Sequence, residues 1–178
     1  MIIENIGSKV FEEVKYFKLN TFIDNRGYFK ETFNKEVQEL IGSNINFIQD
    51  NESCSKYGVL RGLHYQKEPK QQSKLVRVSA GKIQDVIVDT RKGSATYAKW
   101  ESFDLSAENN NMLFVPKGFA HGFLVLSEEA IINYKVDNFF EPKLDAGIIY
   151  DDKQLDIKWN LSLKDIIISD KDKNLPSL

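Results

Sequence analysis

Short apolar runs separated by turn residues recur along this chain and limit the folds that it can adopt. The runs are rich in Ile and Val, and turn formers such as Gly, Pro, Asn and Asp lie between them. The clearest examples span residues 74–78, 86–88, 112–115, 122–126 and 131–134. Runs of this kind, repeated about every 8–12 residues, are typical of β-sandwiches and β-barrels. The pattern therefore predicts an all-β fold.

One stretch has the spacing of a helix, and one apolar group interrupts the polar C-terminal tail. Val37, Leu40 and Ile41 are spaced i, i+3, i+4, and Gly42 directly after them favours a helix end. The tail is mostly polar and charged, but its residues 166–168 are apolar. We expect these three residues to dock the tail back onto the body of the protein.

Length, charge and cysteine content restrict the class of protein. A chain of 178 residues has the size of one domain, so we expect residues 1–178 to form a single unit. The 24 basic and 26 acidic side chains leave a net charge of −2, which gives no support for binding to nucleic acids or to a membrane surface. Cys54 is the sole cysteine, which excludes an internal disulfide and fits a reducing compartment. Because no apolar run suits a signal peptide or a membrane span, the expected location is the cytoplasm.

Histidine and arginine are scarce enough in this sequence to be informative. His64 and His121 are the two histidines, and each lies in a glycine-flanked segment that is predicted to be strand. Taken alone, such a histidine is as readily a core residue with satisfied hydrogen bonds as a functional one. Arg61 precedes His64 by three residues, and the planar guanidinium of arginine suits phosphate and carboxylate groups. The pair indicates an anionic substrate brought to a base.

A metal site is a second interpretation of the two histidines. The Pro-x-Gly-x-x-His segment at residues 116–121 resembles the second conserved motif of cupins, many of which bind a metal through three histidines and a carboxylate. The first cupin motif normally supplies a His-x-His pair, whereas here it supplies His64 alone. A site of two histidines and one carboxylate stays open on sequence grounds. With two imidazoles in the whole chain, a metal-free protein is the expectation.

Two motifs far apart in the chain carry a specific family resemblance. They are Arg-Gly-Leu-His-Tyr-Gln at residues 61–66 and Pro-x-Gly-Phe-Ala-His-Gly-Phe at residues 116–123. Further matching segments surround them, at residues 24–31, 47–51, 74–78, 85–91, 157–159 and 168–172. Together they resemble the dTDP-4-dehydrorhamnose 3,5-epimerases, which are metal-free sugar-nucleotide epimerases of the cupin type. The resemblance implies a double-stranded β-helix (a cupin or jelly-roll barrel) with a few short helices, no cofactor, and a homodimer joined through the N-terminal strands.

The resemblance also implies a reaction and the residues that carry it out. The family inverts C3 and C5 of dTDP-4-dehydro-6-deoxy-D-glucose to give dTDP-4-dehydro-L-rhamnose. Both carbons are alpha to the C4 ketone, so each inversion needs a base, a stabilised enolate and an acid. The family's base is a His paired with an Asp, which match His64 and Asp172, and its acid is a Tyr, which matches Tyr134. Lys74 matches the lysine near the C4 oxygen.

The substrate contacts implied by the resemblance are spread along the chain. The matching positions are Arg26, Glu31, Gln49, Asn51, Arg61, His121, Phe140, Asp145 and Lys171. Arg26 and Arg61 are expected to pair with the diphosphate. Phe140 stands where the family has a Tyr that stacks on thymine, Asp145 replaces a Glu, and Tyr150 replaces a Trp. These departures change the expected contacts to the nucleotide, whereas the expected base, acid and lysine of the reaction are retained.

Two acidic positions keep alternative interpretations. Asp165 also fits the family's terminal Asp motif, although the spacing favours Asp172 as the partner of His64. Asp85 lies in an acidic-apolar strand, where it either orients a histidine or is a solvated strand end.

The spacing of Arg61 and His64 predicts a local irregularity. Strict strand alternation places residues three apart on opposite faces. If both side chains face one substrate, we expect a bulge at Gly62 or a bend in the strand.

Three alternatives to the double epimerase follow from the same residues. The first is a mono-epimerase that inverts C3 or C5 alone in a related 4-keto-6-deoxy sugar nucleotide. The second is a cupin-fold module that binds a sugar nucleotide without chemistry, which the retained base, acid and lysine argue against. The third is a metal-dependent cupin oxygenase.

Overall fold

The computed structural model describes residues 3–178, and antiparallel β-strands dominate it. Six strands form the first sheet. In spatial order they are β1 (Ile3–Asn5), β2 (Lys15–Leu19), β10 (Asn111–Val115), β7 (Lys74–Ala80), β12 (Glu129–Val136) and β5 (Gln49–Lys56). Strand β5 lies at one edge of this sheet and pairs with β12 along its whole length, from Lys56 opposite Glu129 to Gln49 opposite Val136.

Five strands form the second sheet, and a sixth short strand adds to it. In spatial order the five are β13 (Asp145–Gly147), β6 (Val59–Gln66), β11 (Phe119–Val125), β8 (Lys82–Asp89) and β9 (Trp100–Ser106). The two-residue strand β14 (Ile167–Ile168) pairs with β6 in parallel. The apolar group in the tail therefore docks back onto the protein, as the sequence predicts.

The two sheets pack face to face around an apolar core. The core takes alternate side chains from both sheets because successive residues of a strand point to opposite faces. Its members include Val76, Val78, Leu113, Ile132, Ile83, Ile87 and Phe123, all buried. This arrangement confirms the predicted all-β fold of the double-stranded β-helix type.

The outer face of the first sheet is covered by helix α1 (Lys35–Ile41). Asn34 caps its N-terminus by accepting a hydrogen bond from the Val37 N–H at 3.1 Å, and Gly42 ends it with φ of +110°. Val37 and Ile41 pack against the buried side chains of the sheet. The predicted helix is confirmed.

The outer face of the second sheet is covered by the segment after β13. Ile148, Leu155 and Ile157 pack against this face, so β8 and β11 are buried on both sides. Burial on both faces explains why these strands have continuous apolar runs instead of alternating ones. The chain ends with helix α2 (Asp170–Lys173), one turn long, and the segment that follows it.

A separate hairpin is formed by β3 (Phe22–Asp24) and β4 (Gly27–Phe29), which pair only with each other among the described residues. Its apolar side chains are largely uncovered: Phe22 is 57% exposed, Ile23 81%, Tyr28 63% and Phe29 61%. Contiguous exposed apolar side chains are unusual on a monomer surface and mark a site of interaction.

Candidate active site

A cavity of about 560 Å³ lies between the two sheets. Polar side chains from both sheets and from the C-terminal segment line it: Arg61, His64, Lys74, His121, Tyr134 and Asp172. His64 and Tyr134 belong to different sheets, so they approach the cavity from opposite walls. The histidines, the tyrosine, the lysine and the carboxylate singled out in the sequence thus meet in one place.

A β-bulge allows Arg61 and His64 to face the same cavity. Opposite β11, His64 pairs with His121 and Arg61 pairs with Phe123, so two residues of β6 stand against one of β11. Gly62 takes φ of +124°, and a Cβ on it would lie 2.5 Å from the Cα of Gly122. The position therefore requires glycine. The irregularity predicted at Gly62 is present.

His64 forms a close pair with Asp172. The His64 Nε2 lies 2.7 Å from Asp172 Oδ1, and Asp172 Oδ2 accepts a hydrogen bond from the Gly62 N–H at 3.2 Å. The carboxylate is 5% exposed and the imidazole 34%. Burial lowers the pKa of His64 below its ordinary value, although Asp172 opposes the effect. His64 is therefore a neutral imidazole near pH 7, with its tautomer fixed by the carboxylate.

Asp165, the alternative partner for His64, is not the carboxylate that contacts the imidazole. Asp165 ends a short 3-10 helix, Leu163–Asp165, and its backbone oxygen packs near Gly58. Of the two candidates, Asp172 is the one in contact with His64.

His121 and Asp85 form a second imidazole–carboxylate pair beside the first. The His121 Nε2 lies 2.9 Å from Asp85 Oδ2, and the Asp85 side chain is fully buried. The other oxygen, Oδ1, is buried and has no hydrogen-bond partner among residues 3–178. Asp85 is therefore not a solvated strand end, and it orients a histidine. The negative charge of Asp85 also raises the pKa of Lys74 and so favours the charged form of that lysine.

Lys74 and Tyr134 lie on the wall formed by the first sheet. The Lys74 Nζ is 3.5 Å from the His64 carbonyl oxygen, and burial lowers the lysine pKa to about 8 against the attraction of Asp85 and Asp145. Burial raises the pKa of Tyr134 above its ordinary value of 10.0, with Arg61 opposing. At pH 7 the cavity thus holds a mostly charged ammonium, a neutral imidazole and a protonated phenol.

Edge strand β5 carries a row of polar side chains on its inward face. Gln49 Nε2 donates to Asn51 Oδ1 at 2.8 Å, and Arg61 Nε donates to Ser55 Oγ at 3.0 Å. Between them Ser53 lines the cavity, and its buried Oγ forms no hydrogen bond within residues 3–178. Neither Ser53 nor Ser55 is among the residues predicted from the sequence. The two-residue period that starts at Gln49 and Asn51 is the signal that points to them.

Lys171 and Asp145 form an ion pair at the cavity. Lys171 lies in helix α2 and lines the cavity, whereas Asp145 begins β13. Phe140 lies outside the cavity lining and is 55% exposed. The structure thus brings two of these three predicted contacts together.

Arg26 and Glu31 lie apart from the cavity of their own chain. Arg26 stands at the turn of the β3–β4 hairpin, where it pairs with Asp24 at 2.6 Å and is 85% exposed. Glu31 accepts a hydrogen bond from the side chain of Asn34 beside helix α1.

No group of three or more His, Cys, Asp or Glu side chains in residues 3–178 is arranged to hold a metal ion. Each histidine is instead engaged by its own carboxylate.

Within the described part of the chain, no helix has the length and apolar character needed to cross a membrane.

The sequence matches known proteins along most of its length. A profile of the dTDP-4-dehydrorhamnose 3,5-epimerase family matches residues 9–178. A protein of Methanothermobacter thermautotrophicus named dTDP-4-dehydrorhamnose 3,5-epimerase is 53% identical over 154 residues, which cover 86% of this chain and 83% of the relative.

Solved structures match the fold as closely. A dTDP-4-dehydrorhamnose 3,5-epimerase of Bacillus anthracis with bound TDP and pyrophosphate is 45% identical with a TM-score of 0.93, covering 99% of both chains. An epimerase of Legionella pneumophila in complex with dTDP-4-keto-L-rhamnose is 41% identical with a TM-score of 0.93, covering 98% of this chain and 92% of that one.

Proposed function

The chain belongs to the dTDP-4-dehydrorhamnose 3,5-epimerase family, and we propose that it converts dTDP-4-dehydro-6-deoxy-D-glucose to dTDP-4-dehydro-L-rhamnose. One observation supports this reaction above others. A His–Asp pair and a protonated tyrosine approach one cavity from opposite walls, with a buried ammonium group between the sheets. Inversion at a carbon requires a base on one face and an acid on the other.

His64 acts as the base in this proposal. With its Nε2–H donated to Asp172, the imidazole presents the lone pair of Nδ1 to the proton at C3 or C5. The C–H bond breaks, its proton moves to Nδ1, and its electron pair becomes part of the enolate. Asp172 stabilises the imidazolium that results, since its carboxylate is buried and already aligned.

Lys74 and His121 stabilise the enolate. Negative charge develops on the C4 oxygen, and a preorganised ammonium in a buried site interacts with it more strongly than water does. Asp85 holds His121 in one orientation and favours the charged form of Lys74.

Tyr134 supplies the proton on the opposite face. Its raised pKa keeps the phenol protonated until the enolate forms, and protonation of the carbon from this side inverts the centre. The phenolate then recovers a proton, and His64 releases the one it took, so the enzyme returns to its starting state without a cofactor.

The nucleotide is bound by residues at the rim of the cavity. Arg61 pairs with the diphosphate, Phe140 stacks on the base, and Gln49, Asn51 and Lys171 supply polar contacts. Asp145 keeps Lys171 in place through its ion pair.

We further propose a cytoplasmic homodimer whose N-terminal strands cross between the subunits. Arg26 and Glu31 do not line the cavity of their own chain, and the hairpin that carries Arg26 exposes four large apolar side chains. A second copy that covers this hairpin would receive Arg26 and Glu31 at its own site. The free thiol of Cys54 is compatible with a reducing cytoplasm.

The proposal is tested by identifying the product. Purified protein is incubated with dTDP-4-dehydro-6-deoxy-D-glucose, and the configuration of the product is determined by NMR. We expect inversion at C3 and C5 with the unmodified protein, and loss of at least about 10²-fold in rate with His64→Asn or Tyr134→Phe. Cys54→Ser, at an exposed position away from the cavity, is the control and should leave the rate unchanged. Inversion at C3 or C5 alone would identify a mono-epimerase instead.

A further inference from the structure

The carboxylate that pairs with His64 is carried by a short C-terminal segment, residues 167–178. Beyond the two residues of β14 this segment has no place in a sheet, and its helix α2 is one turn long. A helix of that length has little stability of its own. The position of Asp172 therefore depends on contacts that hold the segment from outside.

The pairing of β14 with β6 supplies some of those contacts. Others come from the bracket segment, residues 145–152, which starts in β13 beside His64. Gly147 pairs with His64 in the sheet, and Leu175 packs on Gly147 so closely that an added Cβ would lie 2.7 Å from it. The Ile149 N–H then donates to the Pro176 carbonyl at 2.8 Å. The bracket segment thus joins the strand of the base to the segment of its carboxylate.

Asp152 closes this bracket at its far end. Its Oδ1 accepts hydrogen bonds from the Gln154 and Leu155 N–H groups at 2.8 and 2.9 Å, which form a tight turn. Its Oδ2 accepts from the Leu178 N–H at 2.9 Å. The Leu178 side chain packs against the apolar cluster under the second sheet.

The negative charge of Asp152 strengthens the hydrogen bonds that it accepts from these N–H groups. The residue is 5% exposed, and burial by itself would raise its pKa, but the N–H groups of Leu178, Leu155 and Gln154 and the side chain of Ser177 outweigh burial and lower the pKa. An ionised carboxylate forms stronger hydrogen bonds to N–H groups than a neutral one.

We propose that Asp152, which lies outside the cavity lining, is a positioning residue for the reaction: by holding Leu178 it keeps the C-terminal segment in place, so that Asp172 stays paired with His64. The catalytic part of this inference rests on the proposed epimerase function. The structural part, that Asp152 fixes Asp172, is independent of it.

Asp152→Asn is a selective test because the two oxygens have different partners. The amide oxygen of Asn can still accept the two N–H groups of the turn, while its NH₂ group faces the Leu178 N–H, where two donors cannot pair. Asp151→Asn, a change of the same kind at the exposed neighbouring residue, is the matched control. Leu178→Pro removes the N–H from the other side and leaves Asp152 and its turn intact.

The first readout does not need activity. The Gly62 N–H is bonded to Asp172 Oδ2, so its hydrogen exchange, followed by NMR, reports whether Asp172 is in place. We expect faster exchange at Gly62 in Asp152→Asn and Leu178→Pro, and unchanged exchange in Asp151→Asn. Unchanged exchange at Gly62 in folded Leu178→Pro would overturn the inference whatever the substrate is.

The second readout is epistasis in the proposed reaction. We expect Asp152→Asn to lower kcat by about tenfold to a hundredfold, as a small displacement of a catalytic group does. In the Asp172→Asn background the same change should lower kcat by less than about twofold, because residues that act through one another are not additive. An equal loss in both backgrounds would mean that Asp152 acts independently of Asp172 and would overturn the positioning role.

Discussion

The cavity lowers the pKa of two residues that the proposed mechanism uses, Lys74 and His64. Burial disfavours the charged form of both, which leaves the imidazole neutral and brings the ammonium pKa to about 8. The proposed mechanism needs a neutral base and a charged lysine. Both forms coexist only in a limited range of pH.

The pH dependence of kcat/KM is therefore expected to be bell-shaped. Activity should rise with pH as His64 loses its proton, with a midpoint below the ordinary histidine pKa of 6.5, and should fall near pH 8 as Lys74 loses its charge. Tyr134 stays protonated over this range.

The Lys74→Arg variant tests whether loss of the charge on Lys74 causes the fall in activity near pH 8. Arginine remains charged in proteins, so the fall near pH 8 should disappear even though the altered geometry lowers the maximal rate. An alkaline limb that persists near pH 8 in this variant would assign it to a different group.

The residues that lie in specific motifs are among those that the structure brings to one cavity. His64 and His121 lie in the two specific motifs, Lys74 and Tyr134 follow from the family resemblance, and all four line one cavity. Spacing favours Asp172 over Asp165, but both lie in a polar tail whose path depends on tertiary contacts that a sequence pattern does not specify. Hydrogen bonds to a backbone N–H, such as that of Gly62 to Asp172, leave no mark in the residue type of the acceptor.

At the scale of elements, the bulge in β6 determines which side chains reach the cavity. Without the extra residue, Arg61 and His64 would point to opposite faces of the strand. Gly62 makes the bulge by its positive φ and by its close approach to Gly122.

Gly62→Ala should therefore damage both the fold and the site. We expect the free energy of unfolding, measured with urea, to fall by about 1–3 kcal/mol from backbone strain. The conversion rate should fall by about a hundredfold because His64 is displaced. Gly93→Ala is the control, since a Cβ there meets nothing within 4 Å. Full activity in Gly62→Ala would show that the bulge does not position the base.

The elements themselves were largely predictable. Apolar runs identified the central strands, and the spacing of Val37, Leu40 and Ile41 located helix α1. The spacing of Arg61 and His64 predicts a bulge or a bend on the condition that both side chains face one substrate. The bracket formed by residues 145–152 was not predictable, because it depends on backbone hydrogen bonds between segments distant in sequence.

At the scale of the whole molecule, the exposed hairpin is the part that the isolated chain leaves incomplete. Its apolar side chains are largely exposed within residues 3–178, and Arg26 does not line the cavity of its own chain. If two copies exchanged this hairpin, each copy would cover the apolar side chains of the other and receive its Arg26. Both contacts would form twice, as in any two-fold dimer.

A shared site predicts complementation between inactive variants. Arg26→Ala and His64→Asn should each lower the rate strongly. After the two proteins are mixed and allowed to exchange subunits, heterodimers should regain part of the activity, because one of their two sites has both residues intact. Light scattering checks that dimers are present. Dimers that exchange subunits without regaining activity would place Arg26 outside the partner's site.

Proton removal from C3 and C5 can be observed as exchange of substrate protons with solvent. The protein is incubated with dTDP-4-dehydro-6-deoxy-D-glucose in heavy water, and deuterium is located by NMR or mass spectrometry. Proton removal by His64 predicts deuterium at both C3 and C5, and none at either carbon with His64→Ala. Absence of deuterium at both carbons with the unmodified protein, or full labelling with His64→Ala, would contradict it.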